Sequence, residues 1–164
     1  MKLSHLTAQA RLPTPLGPVT VAATENGLAG LWFDAQAHHP GELDAPHDAE
    51  QRWIAMTAEA LAAFFGQARP ICLPLDLQGT PFQRAVWAAL CAIEPGRTSS
   101  YGALAAQLGA PSAARAVGAA VGRNPVSILV PCHRVLGHDG ALTGYAGGLE
   151  RKHSLLIHEG ALTP

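Results

Sequence analysis

The apolar positions change their period along the chain, and each change predicts an element. Pro18 to Thr24 and Leu28 to Phe33 are two β-prone runs flanking Glu25-Asn26-Gly27. Asn-Gly supplies the positive-φ pair of a tight turn, so the pattern predicts a hairpin. Asp34 to His47 is polar and reads as a loop. Asp48-Ala49-Glu50-Gln51 has the form of a capping box, with Asp48 as cap and Gln51 reaching back. Trp53, Met56, Thr57, Ala60, Leu61 and Phe64 follow at helical spacing up to Gly66. Ile71 to Leu75 is a short apolar strand or extended piece.

At Gly79-Thr80-Pro81 the pattern turns helical for most of the remaining chain. Thr80 is a candidate cap and Pro81 fits the first helical position. Phe82, Val86, Ala89, Leu90 and Ile93 line one face, and Pro95-Gly96 stops the helix. A shorter helix fits Tyr101 to Leu108, capped by Ser99 or Ser100, and another fits Ser112 to Val121 with Ala114, Val117 and Val121 inward. Joined by Gly109-Ala110-Pro111, the two have helix-turn-helix proportions. Val126 to Val130 reads as a buried strand entering Pro131-Cys132-His133-Arg134. A glycine-rich loop then leads to a last helix, Leu149 to Glu159, stopped by Gly160.

Composition narrows the classes. With 164 residues, 48% hydrophobic and 14% charged, the chain can bury a core and is not intrinsically disordered. No apolar run is long enough for a membrane span, and the amino end lacks the apolar stretch of a signal peptide. Cys72, Cys91 and Cys132 form no C-x-x-C pair, a usage that predicts reduced, intracellular thiols. His38, His39 and His47 lie in an acidic loop without cysteine and read as solvated, so no metal site is expected. Net charge is -1, yet residues 1–79 carry four basic against eight acidic side chains and residues 80–164 seven against four. A polyanion would meet the second half.

Two features carry chemistry. Cys132 follows an apolar run and a proline, with His133 and Arg134 directly behind it. Basic and hydrogen-bonding neighbours favour the thiolate and make a cysteine nucleophilic. The other feature is Ala113-Ala114-Arg115-Ala116-Val117-Gly118-Ala119-Ala120, one long side chain among small ones. A base-reading helix projects several long polar side chains, which this one lacks. Small residues permit close approach to a narrow groove and leave Arg115 as a single probe, which suits sequence-independent binding with a base turned out of the stack. Small residues also simply pack helices tightly, and the spacing alone leaves both readings open.

Pro131-Cys132-His133-Arg134-Val135, Ala114 to Gly118, Asn124-Pro125, Gly144-Tyr145-Ala146-Gly147-Gly148 and His158-Glu159-Gly160 together resemble the 6-O-alkylguanine-DNA alkyltransferases. Among these the chain is most similar to the bacterial type without a second, zinc-bearing repair domain. The resemblance is strong over residues 79–160. It implies an α+β fold: a structural amino-terminal domain, 1–78, with a small antiparallel sheet and a helix (ribonuclease-H-like), then a winged helix-turn-helix domain, 79–164, that binds DNA and accepts the alkyl group. It implies that Cys132 takes the group from 6-O-alkylguanine, and from 4-O-alkylthymine, once and irreversibly. His133 would act as base through a water, Glu159 would orient it, and Tyr101 would donate to the departing oxygen. Asn124 would brace the turn before the nucleophile, and Val135, Tyr145 and Ala146 would line the base pocket. Arg115, with Ala114 and Gly118 on the same helix, would enter the minor groove of double-stranded DNA without sequence preference. The expected protein is a cytoplasmic monomer without cofactor, metal or membrane partner.

Two other classes compete. A non-catalytic reader of alkylated DNA would carry another residue where Cys132 stands. A cysteine hydrolase would need Cys132 and His133 to pair directly, which is awkward for adjacent residues on an extended segment.

Overall fold

The hairpin forms as the pattern predicts, and the Thr24 N–H donates to the Gly27 carbonyl at 3.0 Å, but neither Asn26 nor Gly27 takes the positive φ expected of the turn. The computed structural model describes residues 3–67 and 70–163. Strands β1 (Ala8–Leu12), β2 (Val19–Ala23) and β3 (Leu28–Phe33) form an antiparallel sheet in that order. The hydrophobic pattern did not mark β1. It is five residues long and buries Gln9, whose amide donates to the Leu43 and Ala45 carbonyls.

Strand β3 lies at the sheet edge, yet all six of its residues are buried. Its outer edge is covered by two single parallel bridges, Leu28 to Leu75 and Leu31 to Val126. An edge strand so covered reads as a continuous apolar run instead of an alternation. Trp32 folds back over Gly30, where a Cβ would come within 1.7 Å of the indole ring.

Helix α1 (Arg52–Gln67) buries Ile54, Thr57, Leu61 and Phe64. Its start corrects the capping box. Gln51 supplies the cap, its Oε1 accepting from the Trp53 and Ile54 N–H groups, while Asp48 closes a preceding turn onto Glu50 and Gln51. The helix begins only at Arg52, which leaves Asp48 one turn too early to cap it.

Helix α2 (Pro81–Cys91) starts with a complete capping box between Thr80 and Gln83. Phe82 was expected inward, but it is 40% exposed, because Val86, Trp87, Ala89 and Leu90 define the buried face. The Trp87 indole donates to the Ala120 carbonyl at 2.9 Å and ties α2 to α4 (Ala114–Gly122). Helix α3 (Tyr101–Gln107) is capped by Ser100, and a 3-10 turn, Pro111–Ala113, links it to α4. Strands β4 (Ser99–Ser100) and β5 (Val135–Leu136) pair in parallel, and α5 (Leu149–His158) ends the fold. The architecture is α+β.

The chain divides into two compact units: the residues up to Gln78 with Pro125–Leu129, and Gly79–Asn124 with Val130 onward. The strand expected over Val126 to Val130 does not form. Only Val126 bridges, Ser127 to Leu129 turn, and Ile128 sits at φ 71. Apolar runs of this length cannot be told from other buried segments by pattern alone, and here Leu31 engages only the backbone of Pro125 and Ser127. No helix among the described residues is long and apolar enough to cross a membrane.

Candidate active site

Pro131 (φ -81, ψ 61) bends the chain so that the Cys132 N–H returns to the Val130 carbonyl at 2.8 Å. Cys132, His133 and Arg134 then form a 3-10 turn, not the extended segment expected. Successive side chains are thus rotated by about 120° from one another. The following β5 pairs with β4, and this pairing sets Tyr101, the first residue of α3, beside the turn.

All three residues of the turn are buried, with Cys132 at 3% and His133 at 0% exposure. Asn124 Nδ2 donates to the Val130 carbonyl at 2.7 Å and to Cys132 Sγ at 3.0 Å. The amide therefore holds both the approach to the nucleophile and the sulfur itself. Burial pushes the Cys132 thiol up to about 11, against the opposing pull of Asn124, the Lys152 charge and backbone donors. At neutral pH the resting group is a thiol, and activating it needs a base.

His133 Nε2 lies 3.1 Å from Glu159 Oε1. Burial raises the Glu159 carboxyl, but hydrogen bonds and charges from Arg134 and His133 outweigh it and hold the group at about 2. Glu159 is thus an ionised acceptor, so Nε2 carries the proton that joins them. Burial also lowers the His133 pKa, more than Glu159 raises it, which leaves the ring neutral at pH 7. Nδ1 is then the basic nitrogen, buried and without a hydrogen-bond partner among the described residues. It is an available base in a buried site.

Arg134, read from the sequence only as a basic neighbour of the thiol, and Lys152, which the sequence did not single out, complete the arrangement. Arg134 grips Glu159 with Nε at 2.8 Å and Nη2 at 2.7 Å, and its Nη1 donates to the Ile93 carbonyl. Lys152 is fully buried, and its Nζ donates to the Val135 and Thr143 carbonyls, each at 2.5 Å. Burial lowers its pKa to about 8. The signal was present in α5: Lys152 shares a helical stripe with Leu155, Leu156 and Glu159, so it had to face inward.

The other predicted residues fall in two places. The Tyr101 hydroxyl donates to the Gly144 carbonyl at 3.1 Å, and burial and the neighbouring Cys132 raise its pKa, so it keeps its proton. Gly144 (φ 53) permits this approach, since a Cβ there would stand 2.8 Å from the hydroxyl. Val135 is buried, Tyr145 packs edge-on to the His133 ring at 6.4 Å, and Ala146 is half-buried. Arg115 is exposed on α4 and makes no hydrogen bond or ion pair among the described residues, while Ala114 is half-buried. Gly118 faces inward, its α-carbon turned to the Tyr101 ring. His38 and His47 are exposed, His39 accepts the Gly41 N–H, and the described residues contain no cluster of three metal-ligating side chains.

Residues 81–161 match the family model of the 6-O-methylguanine DNA methyltransferase, DNA binding domain. The chain is 45% identical over 152 residues to a methylated-DNA–protein-cysteine methyltransferase of Mycolicibacterium paratuberculosis, covering 92% of this chain and 91% of that protein. The chain belongs to this family. A methyltransferase of the same name from Salmonella typhimurium is also 45% identical, over 93% of this chain and 95% of its own length. The crystal structure of Mycobacterium tuberculosis OGT in complex with DNA superposes with a TM-score of 0.86 at 42% identity, covering 94% of each chain. The family's matched segment contains every candidate catalytic residue, together with α2, α3, α4 and α5.

Proposed function

We propose that the protein repairs DNA by transferring the alkyl group of 6-O-alkylguanine, and of 4-O-alkylthymine, irreversibly to Cys132. The observation that carries this reading is the buried thiol held by Asn124 beside a neutral histidine whose other nitrogen is engaged by an ionised carboxylate. The thiol proton passes through a water to His133 Nδ1, and Glu159 stabilises the imidazolium that results. Sγ forms a bond to the alkyl carbon as the carbon–oxygen bond breaks, and the electron pair leaves on the exocyclic oxygen of the base. Tyr101, still protonated, turns its hydroxyl from the loop carbonyls to that oxygen. The base edge is read by the Val135 carbonyl and the Ala146 backbone, with Tyr145 as a wall.

The product is a thioether, which water does not displace, so each molecule acts once. The substrate is double-stranded DNA approached through the minor groove without sequence preference, by a monomer in the cytoplasm. Ala116 and Ala119, exposed beside Arg115, let the α4 backbone come close while Arg115 fills the place of the flipped base. Incubation with duplex DNA carrying labelled 6-O-methylguanine tests the reading. One label per protein, on Cys132, is expected, and Cys132→Ala should bind DNA but take none. Repeated turnover would favour a hydrolase, and DNA binding without any transfer would favour a reader.

A further inference from the structure

Ile128 is the most strained residue on the way to the nucleophile. It is β-branched and 3% exposed, and its φ of 71 lies in the left-handed region that such side chains avoid. The Leu129 N–H reaches back to the Ser127 carbonyl at 2.9 Å and closes a three-residue turn around it. A second three-residue turn around Pro131 follows at once, and the chain then delivers Cys132. Strained backbone of this kind persists only where its surroundings over-determine it.

Those surroundings lie in the amino-terminal unit. The Leu31 N–H donates to the Pro125 carbonyl and the Ser127 N–H to the Leu31 carbonyl, both at 2.9 Å. These fix the entry to the turn at the edge of β3. The side-chain tie is Gln36. Past the end of β3 the chain reverses through Ala35 (φ 58), and the Gln36 N–H donates to the Phe33 carbonyl at 3.2 Å. The side chain folds back, and its Oε1 accepts two buried donors, the Phe33 N–H at 2.8 Å and the Ser127 hydroxyl at 3.1 Å. Gln36 is 5% exposed and Ser127 1%. Water does not compete for this contact. On the far side, Asn124 fixes Val130 and the sulfur.

We propose that Gln36, acting through Ser127, is a positioning residue for alkyl transfer: it holds the strained turn at Ile128 that sets where Cys132 Sγ stands. Neither side chain touches the reacting atoms. Their influence runs along the few stiff residues from Ser127 to Cys132. The inference rests on Cys132 being the alkyl acceptor.

Single-turnover kinetics on the full-length protein separate this role from a merely structural one. The number of methyl groups taken per protein counts folded, competent molecules, and the rate constant reports the geometry of attack. Gln36→Leu and Ser127→Ala should keep the full amplitude and the DNA affinity but slow transfer by about 10- to 100-fold, as small misplacements of reacting groups do. The double variant should be no slower than the slower single one, because both remove one shared contact. Ser127→Thr and Ser127→Val add the same bulk and differ only in the hydroxyl, so the threonine variant should be the faster by a similar factor. An unchanged rate at full amplitude overturns the proposal. So does a loss confined to the amplitude, or equal rates for the threonine and valine variants, the pair that decides if Gln36→Leu does not fold. If the wild-type protein itself places no methyl on Cys132, the underlying reading has failed and not this inference.

Discussion

The two units bury polar groups of different kinds. In the amino-terminal unit the buried polar side chains among the described residues are Gln9, Thr24, Gln36, Thr57 and Ser127, all neutral. The second unit buries Asn124, His133, Arg134 and Lys152, with the Glu159 side chain at 2% exposure and the Cys132 thiol among them. Three of these are cationic or potentially so and one is an ionised acid: His133 and Arg134 both bond Glu159, while Lys152 donates to backbone carbonyls. Buried charge of this kind is weak evidence for stability, since desolvation offsets most of the attraction. It is better evidence for chemistry, because it shifts proton affinities where a reaction needs them shifted. Within the neutral set Thr57 bonds its own helix at Trp53, and Thr24 bonds Asp76.

Truncations break the comparison in a graded order. Glu159→Ala strands Arg134 and His133 and should have the largest effect, about 3–5 kcal/mol of stability read from denaturant midpoints at pH 7. The wild-type contribution has a definite pH window. The folded carboxyl is depressed to about 2 from 4.5, so its stabilisation is complete above pH 4.5 and is lost as pH falls toward 2. Glu159→Ala should flatten that part of the acid limb. His133, lowered below 6.5, adds a separate loss of stability as pH falls below 6.5, where the unfolded ring gains its proton first.

Lys152→Met comes next. It leaves the buried Val135 carbonyl without the Nζ donor, and an unpaired buried group costs about 1–3 kcal/mol. Amide exchange should rise in the loop before α5, and transfer should slow with it. Protection unchanged in that loop would show that Lys152 does not clasp it.

Gln9→Leu is the smallest and the sharpest control. Gln9 is a glutamine buried to a degree similar to Gln36 in the same unit, but its partners, the Leu43 and Ala45 carbonyls, lie outside the segment from Ser127 to Cys132. It should lose about 1 kcal/mol and leave the transfer rate of folded protein unchanged. A slowed rate would mean that any damage to the amino-terminal unit reaches the nucleophile, and the special place of Gln36 would go.

Much of the fold was legible because it rests on local chemistry. Thr80-Pro81 started α2 where expected, Ser100 capped α3, and the hairpin formed between its two apolar runs, though without the positive-φ pair read into Asn26-Gly27. The family resemblance, not local pattern, pointed to His133, Glu159, Tyr101 and Asn124, and the structure sets these four around Cys132. What the sequence hid depends on distant partners. Val126 to Val130 has the composition of a strand, but only Leu31 was there to pair with it, and a left-handed isoleucine has no local signature. Lys152 was missed because composition does not show which helix face turns inward, though its stripe with Leu155 and Leu156 did. Arg134 was noticed as a charge near the thiol, whereas its bonds go to Glu159.

The pH dependence of transfer in wild-type and Glu159→Gln protein tests the central claim, that a buried thiol is activated by the His133–Glu159 pair, most directly. Because the thiol sits at about 11, roughly one molecule in a hundred is ionised unaided at pH 9. Glu159→Gln should therefore be slower than wild type at both pH 6 and pH 9, by about 100-fold or more if the pair supplies the usual share of general-base catalysis. The two rates should converge only as pH nears 11. Equal rates already at pH 9 would mean that the thiol ionises without help, and that His133 and Glu159 serve the fold and not the reaction.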